Sequence, residues 1–141
     1  MTGVQTCLFR SAKENTKDYI DRHLDICAKI KKPLVMEEFG YPRDGFKFEL
    51  GSPTKGRDGF YEYVFSLVGD NAEQGGYFAG CNFWGWGGFA QPKHADQWQV
   101  GDDYTGDPAQ EAQGLNSVFS GDASTLEVIK SQVARMSKLT E

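Results

Sequence analysis

The 141-residue sequence is short of several features that would each have suggested a class of function. No apolar run approaches the roughly 20 residues a membrane-spanning helix needs. Basic residues form no stripe, and 15 Lys and Arg face 20 Asp and Glu. At a formal charge of −5 such a chain repels a phosphate backbone, so neither nucleic acid nor a membrane is expected as partner. The three cysteines (Cys7, Cys27, Cys81) fall in no CxxC or Cys/His spacing, and the two histidines (His23, His94) stand apart. No metal site is expected from them. Internal repeats and low-complexity tracts are also missing. What remains is a composition ordinary for a folded domain, 39% hydrophobic and 25% charged. All three tryptophans are crowded between Trp84 and Trp98.

The opening MTGVQTCLFRS stands apart from the rest. It has no helical or strand period and no apolar core of signal-peptide length. It resembles the translation of a sequencing-adapter end, shifted by one base near Leu8. Residues 1–11 are therefore expected to be a disordered cloning or assembly scar, with a disordered natural N-terminus as the alternative. On the scar reading the remainder, 12–141, is a piece of a longer protein.

From there helices and strands alternate. Ile20, Leu24, Cys27 and Ile30 mark one face of a helix over 13–31. Lys31 and Lys32 suit its negative end, and Pro33 stops it. Leu34 to Phe39 form a short apolar strand. A second helix is predicted from an N-cap at Thr54 to about Val68, burying Phe60, Val64, Leu67 and Val68. Tyr77 to Trp84 read as a strand, and 85–113 as one long Gly-rich loop, a length usually associated with function or disorder. Ser124-Thr125-Leu126-Glu127 has the form of a capping box, opening a helix that buries Leu126, Ile129, Val133 and Met136.

Helix–strand alternation argues a parallel α/β sheet with one βαβ crossover. Two parallel strands cannot stand alone, since such sheets want both faces covered. A (β/α)8 barrel takes about 250 residues. The chain therefore reads as the closing part of a barrel, although composition leaves a piece of an open α/β sheet equally possible.

Within the first strand, Pro33-Leu34-Val35-Met36 runs directly into Glu37-Glu38. Adjacent strand residues face opposite ways. If Leu34, Met36 and Glu38 fill the barrel interior, then Val35, Glu37 and Phe39 face the helices. Catalytic groups in barrels sit at the C-terminal ends of strands, which favours Glu38. Glu37 is then expected to be a partly buried carboxylate paired with an arginine or a backbone N–H.

The segment KPLVMEEFG resembles the seventh-strand motif of glycoside hydrolase family 5, in which Glu-Phe-Gly carries the catalytic nucleophile. RDGFYEYVF (57–65), AGCNFWGWGG (79–88), GDDYTGDP (101–108, with Asp103 as an insertion) and QGLNSVF (113–119) continue the likeness over nearly all of 14–138. Their combination is most similar to the family's endo-β-1,4-mannanases. The resemblance implies the C-terminal part of a TIM barrel, about helix 6, strand 7, helix 7, strand 8 and helix 8. It implies Glu38 as nucleophile and Trp84 as the aromatic floor of the sugar subsite at the cleavage point. Trp86 and Trp98 are candidates for outer subsites. Asp102, Asp103 and Asp107 read as loop-structuring turn residues instead.

In the family the acid/base ends an Asn-Glu dipeptide on the fourth strand, and no Asn-Glu occurs in this chain. The expectation is a retaining endo-glycosidase acting on a mannan-type polysaccharide, without metal or organic cofactor, exported to an extracellular or periplasmic space. The isolated chain is expected to be inactive. Alternatives are a β-glucanase or cellulase of the same family, a non-catalytic carbohydrate-binding module, or a truncated reading frame with no role of its own.

Overall fold

The structure is a computed structural model describing residues 3–139, with side chains from Phe9 onward; the Cys7 side chain lies outside the described residues. Helix α1 spans Gly3–Ile30, strand β1 Leu34–Phe39, a 3-10 turn Asp44–Phe46, helix α2 Lys55–Glu73 and strand β2 Phe78–Phe83. Short strands β3 (Trp86–Gly88) and β4 (Val118–Phe119) follow, and helix α3 (Ala123–Ser137) closes the chain.

The segment expected to be disordered is helical from Gly3 on. Its Phe9 ring meets Tyr41 edge-on at 5.9 Å and lies against Gly59 of α2. A period search misses such a contact because a single aromatic anchors it. Farther along α1, Ile20 is buried, but Ile30 is 58% exposed, contrary to the predicted stripe.

β1 and β2 pair in parallel across the α2 crossover, as the alternation predicted. The register is irregular in both strands. Leu34 pairs Phe78 and Val35 pairs Gly80, then Met36 pairs Cys81 and Phe39 pairs Phe83. Each strand thus carries one extra residue, a β-bulge, at a different level. Leu34, Met36 and Phe39 all pack into the core under the helices, beside Phe78, Cys81 and Phe83. The expectation that Leu34 and Met36 line a barrel interior is overturned. Tyr61, Val64, Phe65 and Val68 of α2 supply the buried layer above them.

The other face of this two-stranded sheet is bare. Val35, Glu37, Glu38, Ala79 and Asn82 are exposed on it, where a parallel sheet is ordinarily covered.

Thr54 stands at the N-cap position of α2 as predicted, although its side chain makes no capping bond. The Thr54 hydroxyl bonds to Asp58 instead of the helix backbone. The cap comes from Asp44, whose carboxylate accepts from the amides of Lys55 and Gly56. α3 starts two residues earlier than the capping box predicted, behind Asp122. Thr125 donates to Asp58 and Ser124 meets Thr54, so these hydroxyls join helix to helix. Leu126, Ile129 and Met136 pack on the core, while Val133 is 53% exposed. Within the predicted 85–113 loop, Trp86–Gly88 is a strand, paired in parallel with Val118–Phe119. Two-residue ladders leave no period to read.

Candidate active site

The C-terminal ends of β1 and β2 lie side by side. Trp84 N–H donates to the Phe39 carbonyl at 2.6 Å, and the Trp84–Gly85 peptide is cis. The buried Tyr61 hydroxyl donates to the Trp84 carbonyl at 3.2 Å. Burial in the apolar layer raises the Tyr61 phenol above its ordinary range, so it stays a donor. Gly40 passes so close that an added Cβ would sit 3.0 Å from the Trp84 carbonyl oxygen. Glu38, directly before Phe39, and Trp84 are therefore held at the same end of neighbouring strands. Trp84 keeps 37% of its surface exposed.

The two glutamates are placed by the bulge. Glu37 follows Met36 and Glu38 precedes Phe39, and both apolar neighbours face the helices. Alternation on either side of the extra residue turns both carboxylates to the open face. The expected outward, paired Glu37 is thus not found. Neither carboxylate bonds to a described residue, and both are exposed. They border an open groove of about 940 Å³ along the unpaired edge of β1, shared with Tyr19 and His23 of α1 and Asn82 of β2. His23 Nδ1 meets the Tyr19 carbonyl at 2.7 Å.

The loops above these strand ends are braced by a charged cluster the sequence reading missed. Arg43 and Arg57 are 1% and 0% exposed. Arg43 makes a two-pronged pair with Asp122, at 2.9 and 2.6 Å, and donates to the Gly114 and Ser52 carbonyls. Arg57 reaches the carbonyls of Tyr41, Leu115 and Ser117. Desolvation, then the neighbouring Arg43, lowers the Arg57 pKa. Asp122 and Asp107 oppose that shift. Asp107 accepts from the amides of Gly114, Asn116 and Ser117 and from the Ser117 hydroxyl. These fans of bonds satisfy the carbonyls and amides of an otherwise irregular segment. The only sequence signal was Arg in two turn-rich contexts, YPRDG and KGRDG.

Trp86 is 54% exposed on β3. Trp98 is half-buried, its indole donating to the Asp102 carbonyl at 3.2 Å and its ring stacked on Tyr104. The Asp102 carboxylate accepts from the Gln99 amide and meets His94 Nδ1 at 2.9 Å. Asp103 accepts from the Gln91 amide. Asp102 and Asp107 bond the amides of their own loops, as predicted of turn residues, whereas Asp103 reaches across to position 91. Among the described residues, no three His, Cys, Asp or Glu side chains cluster as a metal site would require.

Comparison with known proteins decides the family. The profile described as GH family 5 beta-mannosidase-like matches residues 4–141. The chain belongs to glycoside hydrolase family 5. A solved family 5 mannosidase from Rhizomucor miehei is similar over 91% of this chain, at 31% identity and a TM-score of 0.80. A glutamate-to-alanine mutant of a mannosidase from the same organism, in complex with mannosyl-fructose, is 29% identical over 93% of the chain, with a TM-score of 0.81. The curated relative "Putative mannan endo-1,4-beta-mannosidase 4" of Arabidopsis thaliana is 30% identical over 69 residues. This family 5 chain spans 32% and 33% of the two solved structures and 16% of the Arabidopsis relative.

Proposed function

We propose that this family 5 chain is the C-terminal part, about helix 6 through helix 8, of a TIM-barrel endo-β-1,4-mannanase that works by retaining double displacement. The observation carrying the reading is Glu38 and Trp84 held at the same end of neighbouring parallel strands, with the sheet face that carries Glu38 bare. In this reading α1 is helix 6, β1 strand 7, α2 helix 7, β2 strand 8 and α3 helix 8.

Glu38 is the nucleophile. Its carboxylate attacks the anomeric carbon of the mannosyl unit, the glycosidic bond breaks, and a glycosyl ester forms. Water then cleaves the ester with a second inversion, so the product keeps the starting configuration. Trp84 offers its exposed ring to the flat CH face of the sugar. Trp86 and Trp98 belong to the path of the polymer beyond it.

The departing oxygen needs a proton from a second carboxyl about 5–5.5 Å from the first. Glu37 neighbours Glu38 in sequence, and the bulge puts both on one face. Their side chains leave the same stretch of backbone, so they cannot flank a bound glycoside from opposite sides. With no Asn-Glu in the chain, the acid/base belongs to another segment of the parent enzyme. The parent acts outside the cytoplasm, where its polymeric substrate lies.

The test is hydrolysis of mannan against cellulose by the full-length gene product and by its Glu38→Ala variant. Mannan turnover abolished by that substitution supports the reading, and a preference for cellulose replaces it with the β-glucanase alternative. The 141-residue chain alone is expected to release no sugar above blank, and turnover that vanishes in Glu38→Gln overturns that. A binding module without chemistry is disfavoured by the three helices, since such modules are usually β-sandwiches.

A further inference from the structure

We infer that Tyr104, backed by Trp98, is an outer carbohydrate subsite: a fixed aromatic platform for a β-linked hexopyranose chain running outward from Trp84. It rests on the reading above for the class of ligand, and it assigns the contact to a different ring. The Tyr104 side chain is 80% exposed, yet one face lies parallel to Trp98, with ring centres 5.3 Å apart and planes 7° from parallel. Trp98 therefore serves as the backing, and the free face is that of Tyr104.

The backing is itself held. Trp98 donates through its indole to the Asp102 carbonyl and through its amide to the Ala109 carbonyl at 2.9 Å. Either side of Tyr104 is tied down as well. Asp103 accepts from the Gln91 amide on one side, and on the other Thr105 donates to Gln113 and the Gly106 amide to Ser117. A surface tyrosine ordinarily samples several rotamers, and ordering it costs binding energy. Here the stack on Trp98 and the tied-down backbone on either side narrow those rotamers before any ligand arrives. A flat apolar ring, stacked on one face and open on the other, matches the CH face of a pyranose. The Tyr104 hydroxyl bonds to no described residue and is free at the rim.

Its position follows from two glycines. Gly106 and Gly85 touch backbone to backbone: a Cβ on Gly85 would lie 2.9 Å from the Gly106 carbonyl oxygen. Gly85 adjoins Trp84, and Tyr104 is two Cα steps of about 3.8 Å from Gly106. The platform is thus moored to the strand end that carries Trp84, within reach of the same oligosaccharide.

The test is titration of the 141-residue chain with mannotetraose and, separately, cellotetraose, followed by tryptophan fluorescence and calorimetry. Tyr104→Ala is expected to weaken binding about three- to tenfold, with far-UV CD unchanged, and Tyr104→Phe to stay within about twofold. If Trp84→Ala loses mannotetraose while Tyr104→Ala binds like the parent chain, the platform is overturned and the mannan reading stands. Tyr104-dependent binding of cellotetraose alone keeps the platform and overturns mannan as ligand. If the unaltered chain binds neither sugar the platform is overturned, while hydrolysis by the full-length product still decides the enzymatic reading.

Discussion

Gly40 runs so close to Trp84 that a side chain at position 40 would have to push the Trp84 backbone aside by a few tenths of an ångström. An alanine Cβ would lie 3.0 Å from the Trp84 carbonyl oxygen and 3.7 Å from its Cβ. That carbonyl is already fixed by the Tyr61 hydroxyl. The close approach of the next strand end thus favours glycine at this position of the Glu-Phe-Gly motif. Gly40→Ala is expected to displace Trp84 at a cost of about 1–3 kcal/mol, measured by urea denaturation. An unchanged midpoint together with an unchanged tryptophan spectrum would refute the contact.

Asp122 neutralises two buried arginines at once. Its removal in Asp122→Ala leaves Arg43 and Arg57 with carbonyl partners but no adjacent carboxylate pairing them. Breaking a buried pair in this way costs about 3–5 kcal/mol. Asp122→Asn keeps the shape and part of the hydrogen bonding and is expected to cost less. Equal urea midpoints for the parent chain and Asp122→Ala would show that the cluster contributes no stability.

Glu37 and Glu38 share an environment but are proposed to have different roles. Both are exposed and unpaired among described residues, so either Glu→Gln change should move stability by no more than about 0.5 kcal/mol. In the full-length enzyme only the change at Glu38 is expected to abolish mannan hydrolysis. Equal kinetic loss from both substitutions would remove the distinction drawn at the bulge.

Acid should loosen the Trp98 loop. Burial acts to raise the Asp102 pKa, but the Gln99 amide, the His94 ring and Lys93 outweigh it, and the carboxyl sits below its ordinary 3.8. A depressed carboxyl contributes stability above its unfolded value and loses it as pH falls through its folded value. A change in Trp98 fluorescence is therefore expected below about pH 3.8, and Asp102→Asn should abolish that step. A step of the same size in the variant would assign it elsewhere.

Cys81 lies on the core side of β2. Burial pushes its thiol up to about 11, so little thiolate exists near neutrality. Alkylation by iodoacetamide at pH 8 is expected to be slow in the folded chain and fast in urea. Equal rates would place the thiol at the surface.

The order of the main helices and of β1 and β2, and their parallel pairing, were legible because helical stripes and short apolar runs are local patterns. The α2 stripe of Phe60, Val64 and Val68 behaved as its spacing required. Asp44 as the cap of α2 was not legible, because it lies 11 residues before Lys55 and reaches it only through the intervening turn. The Arg43–Asp122 pair joins positions 79 apart in sequence. No local pattern marks a partner at that distance.

The amino-acid order by itself determined the helices from about residue 13 on, the strands β1 and β2 and the motif that ends in Glu38-Phe39-Gly40, since spacing and composition act over a few residues. Tertiary structure alone decided which way the strand faces. One extra residue between Met36 and Phe39 reverses every later side chain, and nothing in the chemistry of Glu-Glu announces it. The bulge exists because Phe39 has to reach Tyr61 and Phe65 under the helix while its carbonyl holds the amide of Trp84, and those demands come from residues more than twenty positions away.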